Sequence, residues 1–155
     1  FNAAFLAGCL AMGFVMTPLV RRGITEAAIL KVVAVAYVLA FAAINAAASQ
    51  GHGWLWAALA LVYPLCNVAF AIVSRALPLA LSGRANTALN LAGFVGAFGL
   101  QWGMGVLVDA LRAVGWDAGT AYRGTFALLL ALQVAAVAWM FVAARPARDA
   151  AQSPP

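Results

Sequence analysis

Two apolar stretches of this chain carry polar side chains at helical spacing, and those side chains set the chemistry open to it. In one, Trp56, Tyr63, Asn67, Phe70 and Ser74 recur so that, at about 100° per residue, they fall on one narrow arc of a helix. Pro64 lies between Tyr63 and Asn67; lacking an N–H, it removes a helical hydrogen bond and is expected to kink the helix there. In the other, Asn86, Asn90, Gly93, Ala97 and Gln101 share a face about 80° wide. A phenol and several amides are neutral donors and acceptors. They suit hydrogen bonding to an uncharged solute, or to a neighbouring helix, and the spacing alone leaves both readings open. Tyr63, Asn67, Asn86, Asn90 and Gln101 are therefore the candidates for a substrate cavity.

The same stretches lack the groups that most catalysis needs. No Asp, Glu, His, Lys or Arg lies near the middle of any apolar run, so the ionisable relay of a proton pump is not built here. The lone His52 and the few acids sit at the ends of the runs, and no hydrolytic triad, metal cluster or phosphate loop assembles from them. No catalytic residue, metal or cofactor is expected, and the chain does not read as an enzyme. Cys9 and Cys66 lie inside apolar runs without metal-ligand spacing and read as inert buried thiols. Thr17, just before Pro18, is expected to bond its own backbone, Gln133 to bond another helix, and Asp109 to remain solvated at a helix end.

Glycines crowd the second stripe. Gly93, Gly96, Gly99, Gly103 and Gly105 fall close together, with Gly99 and Gly103 in GxxxG spacing, so close helix approach or sliding is expected there. Leucine at Gly99 or Gly103 is expected to disrupt packing, and leucine at Gly8, which has no such neighbours, to be milder.

These residues must be positioned by elements, and composition decides which kind. Hydrophobic residues make up 66% of the 155 and charged residues only 8%, against roughly a quarter charged in a soluble domain. About 20 apolar residues cross a bilayer as a helix. The runs fit five such helices, at about 2–20, 27–48, 54–77, 85–111 and 122–144, making 1–144 an all-α transmembrane region. They are too long and too uniform for barrel strands. Residues 145–155, RPARDAAQSPP, read as a disordered tail. The net charge of +5 does not indicate nucleic acid, because the basic residues are spread thinly. With five crossings, Arg21, Arg22, Lys31, Arg75, Arg84, Arg145 and Arg148 fall on one side and Arg112 and Arg123 on the other. That split predicts a cytoplasmic C-terminus.

The stretch RALPLALSGRANTALNLAGFVGAFGLQWGMGVLVDAL resembles the tenth-to-eleventh helix region of the major facilitator superfamily. Pro78, the Gly83–Arg84 pair opening the helix, the glycines from 93 to 105 and the closing Asp109 carry the likeness. GFVMTPLVRRGI is similar to the family's second-half cytoplasmic loop, with Gly13 and Arg21–Arg22–Gly23 matching a glycine followed by a basic pair and a glycine. The acidic residue usual in that loop is absent, since Thr17–Pro18 occupies its neighbourhood. The resemblance implies helices eight to twelve of twelve, most of one six-helix bundle, in a secondary transporter of a bacterial inner membrane. It also implies that the first, third and fourth helices line a central cavity, while the second and fifth face lipid. Transport would then proceed by alternating access on a small solute, with the missing N-terminal half as partner. The chain opens on Phe1 and reads as part of a longer protein. The competing expectation is a multi-helix accessory or assembly subunit without transport of its own.

Overall fold

The computed structural model describes residues 2–46 and 52–143, and among these every regular element is helical. α1 spans Asn2–Arg21, α2 Glu26–Ala46, α3 Gly53–Val62, α4 Val68–Ala76, α5 Leu79–Ala113 and α6 Ala118–Ala143. α3 and α4 are joined by a 3-10 turn, Tyr63–Asn67, and together make one crossing, Gly53–Ala76. Five helices are thus long and apolar enough to cross a membrane. Helices dominate because hydrocarbon offers no partner for a backbone N–H or C=O, so each segment must satisfy its own. Side chains that water would reject point outward along them: Phe14 is 82% exposed and Trp139 72%. The 145–155 tail lies outside the described residues.

The ends of the helices are set by local signals. α1 and α5 stop the same way. Gly23 (φ +82°) and Gly115 (φ +96°) adopt the left-handed conformation that a side chain disfavours. Around them, Ile24 N–H donates to the Leu19 carbonyl and Gly23 N–H to Val20, while Trp116 N–H donates to Leu111 and Gly115 N–H to Arg112. These are Schellman closures. α2 opens on Thr25, whose hydroxyl accepts the Ala28 N–H at 3.2 Å, and α6 on Asp117, whose carboxylate accepts the Thr120 N–H at 3.1 Å. Two boundaries therefore differ from expectation. α6 begins at 118 because Asp117 caps it. α5 begins at Leu79, directly after Pro78, so Gly83–Arg84 lie inside the helix and do not open it.

α2 stands centrally, packed on α3, the 3-10 turn, α4 and α6. Phe41 and Ile44 of α2 meet Leu55 and Leu59 of α3, with Phe126, Leu129 and Leu130 of α6 against them. The Phe41 and Phe126 rings lie 5.6 Å apart. α1 packs on α3 and the 3-10 turn and barely touches α2. A tight approach lies at Gly8, where an added Cβ would stand 2.5 Å from the Leu61 carbonyl oxygen and 3.1 Å from the Pro64 ring. A Cβ at Gly93, Gly96, Gly99, Gly103 or Gly105 would meet nothing within 4 Å. The expected order of tolerance is reversed: Gly8 is the position that needs glycine, because a backbone carbonyl fills the space, while a Cβ on either glycine of the GxxxG pair would have room. α5 leans on α4 and on α6, and between those contacts residues 90–102 are exposed throughout.

Candidate functional site

The polar side chains come together where the third crossing leaves α-helical geometry. Pro64 brings no N–H, so the Ala60 carbonyl loses its usual donor and the chain tightens into the 3-10 turn, where Val68 N–H donates to the Leu65 carbonyl. Pro64 itself is buried, and the turn carries Tyr63, Cys66 and Asn67 to the side facing α5. There they form one wall of a groove of about 330 Å³. Phe70 continues that wall, and Asn90, Gly93 and Phe94 of α5 form the other. Gly93 contributes by having no side chain to close the gap.

Tyr63, Asn67 and Asn90 are exposed toward this groove. The Tyr63 ring also lies 6.0 Å from Phe5 and 6.2 Å from Tyr37, so α1 and α2 hold its position from behind. The groove presents two amides and a phenol between aromatic flanks, which is hydrogen-bonding equipment without a fixed charge. Comparison with family models, curated proteins and solved structures returns no match. The geometry of the groove stands on its own.

The remaining candidates separate by position. Asn86 donates through its amide to the Ser74 hydroxyl at 2.6 Å, tying α5 to α4, and its Oδ1 is buried without a partner among the described residues. It holds helices together below the groove. Gln101 is exposed on α5 and is not among the groove residues. Gly99 and Gly103 border a second, apolar groove of about 180 Å³ against Thr125, Leu128 and Leu132 of α6. Gly96 lies on the open face. The Gln133 Oε1 is buried without a partner, so among the described residues the expected bond from this oxygen to another helix is not formed.

At the opposite extreme of the helices, the loop residues take ordinary structural roles. The Gly13 carbonyl accepts the Thr17 hydroxyl at 3.1 Å, as expected for a threonine inside a helix, and the Gly83 carbonyl accepts that of Thr87 at 3.0 Å. Gly23 closes α1, and Arg21, Arg22 and Arg84 are exposed. Sequence reasoning missed Glu26, whose carboxylate meets Arg75 at 2.8 Å and joins α2 to α4. The Thr25–Glu26 pair after a glycine is a helix-start signature and was available to find it. It also missed that Lys31 lies 5.2 Å over the Phe141 ring, which brings the end of α6 to the start of α2. Among the described residues, no three His, Cys, Asp or Glu side chains gather to hold a metal.

Proposed function

We propose that the chain is the C-terminal part of a secondary transporter of the major facilitator type, without enzymatic activity, moving a small uncharged, hydrogen-bonding solute by alternating access. The observation that carries this reading is the groove at the 3-10 turn, where Tyr63, Asn67 and Asn90 from two crossings face one space. Broken helices at mid-membrane, with polar groups beside the break, are how secondary transporters make solute sites. The uncovered face of α5, residues 90–102, supports it too, since helices of the absent half would have an apolar, glycine-bearing surface to pack upon. In this reading the end bearing Arg21, Arg22, Lys31, Arg75 and Arg84 is cytoplasmic, in a bacterial inner membrane, and the tail lies on the same side.

The test is transport per folded molecule in the complete protein. Asn67→Ala and Asn90→Ala are expected to weaken solute affinity roughly 5- to 150-fold, the cost of about 1–3 kcal/mol for leaving a polar partner unsatisfied. Gln133→Ala, on α6 and outside the groove, should leave affinity unchanged. If the two groove variants lose only protein level and keep their affinity, the amides serve packing and the cavity reading fails.

A further inference from the structure

A second lined space lies at the basic end of the helices, and it is independent of the groove. Because α1 packs on α3 and stands off from α2, a cleft of about 350 Å³ opens between α1, the start of α2 and α4. Met12, Met16 and Val20 of α1 form its apolar wall, facing Val68 and Ala71 of α4. Arg21, Glu26 and Arg75 stand at its mouth. Glu26 is largely covered, its side chain 15% exposed, and is neutralised by Arg75 at 2.8 Å. Arg21 is exposed and makes no ion pair among the described residues. The mouth therefore carries one uncompensated positive charge beside an apolar slot, at the end of the crossings. Arg75, 70% exposed, keeps part of its guanidinium free beyond the pair.

We propose that this cleft seats an anionic phospholipid, its phosphate at Arg21 and the upper part of one acyl chain along Met12, Met16 and Ala71. Charge complementarity selects the head, since a basic pocket between membrane helices suits an acidic lipid. The slot selects a lipid over a free anion: a small phosphate would use Arg21 and leave the methionine wall bare. Glu26 acts as a brake, holding Arg75 partly out of the site.

The experiment is native mass spectrometry of the intact protein released from membranes holding equal amounts of phosphatidylglycerol and phosphatidylcholine. The wild-type protein is expected to retain phosphatidylglycerol preferentially. Arg21→Gln, at an exposed position, should lower that retention about fivefold, the effect of one basic residue at an anionic surface. Glu26→Gln should raise it, because Arg75 is then released to the head; a variant that merely damaged the fold would not gain lipid. Ala71→Leu, which fills the slot and leaves the charges, should lower it. The proposal is overturned if Arg21→Gln retains as much as wild type, or if Arg112→Gln at the other end lowers retention equally, which would mean diffuse surface charge. It is also overturned if inorganic phosphate displaces the bound lipid completely, which would mark a small-anion site.

Discussion

Gly8 carries more of the packing than its place in the sequence suggests. Its neighbours across the helix contact are a backbone carbonyl and a proline ring, neither of which swings aside as a side-chain tip would. Gly8→Ala should therefore destabilise the protein by about 1–3 kcal/mol, the usual cost of overpacking, read as a fall in melting temperature. Gly99→Ala places its methyl in open space and should leave the melting temperature unchanged or slightly higher, since alanine favours helix over glycine. The Asn86–Ser74 bond makes a parallel case. Asn86→Ala and Ser74→Ala should each cost about 0.6–1.7 kcal/mol, the range for hydrogen bonds between membrane helices, and the double variant no more than the larger single one. A double loss equal to the sum would mean that the two side chains act separately. At this scale the sequence was partly legible. Helical spacing alone placed Tyr63 and Asn67 on one face and Asn90 on another, and the structure brings those faces to one groove. It did not separate Asn86 from Asn90, because angular position on one helix says nothing about which turn meets a neighbour. Nor did it reveal Gly8, whose partners lie more than fifty residues further along the chain.

Among the elements, the start of α6 carries a cap that depends on pH. The Thr120 hydroxyl, and then its N–H, both donate to the Asp117 carboxylate and hold its pKa below the ordinary carboxylate value. A pKa depressed in the folded state means that this contribution is fully present above the unfolded value, about 3.9, and is lost as pH falls through the lower folded one. The first turn of α6 should accordingly fray in acid, below about pH 4, and not at neutral pH. Asp117→Asn keeps an acceptor for the Thr120 N–H and should hold the turn with no pH dependence, whereas Asp117→Ala should fray it at every pH. Amide exchange of residues 118–122 measures both. All five crossings were legible from apolar run length, since lipid demands about 20 apolar residues of each helix. The boundaries were less so. Pro78 looked like part of a link, yet its backbone directly precedes the first turn of α5, and Asp117 looked like a loop acid until its cap became visible. Polar residues at helix starts dilute the apolar signal that a run-length reading follows.

The whole molecule is asymmetric along the membrane normal. At about 1.5 Å per residue, Arg84 and Arg112 stand about 42 Å apart on α5, close to the thickness of a bilayer with its headgroups, about 40–45 Å. One end gathers Arg21, Arg22, Lys31, Arg75 and Arg84, and the other holds Arg112 and Arg123. With Cys9 and Cys66 replaced, single cysteines in 49–53 or 112–121 should react with an impermeant reagent outside intact cells. Cysteines beside Arg21 or Gly83 should not, and labelling beside Gly83 would invert the topology. The 3-10 turn has a further consequence, for the rate at which backbone protons leave the molecule. An amide in a lipid-sealed helix exchanges slowly because its bond must open and water must also arrive. At Tyr63–Asn67 both barriers are lower: the ladder is interrupted at Ala60, and the groove opens beside Cys66 and Asn67. Deuterium should therefore enter residues 63–68 well before the equally central 34–41 of α2, marking a thread of solvent that reaches the middle of the membrane along one side of a single span.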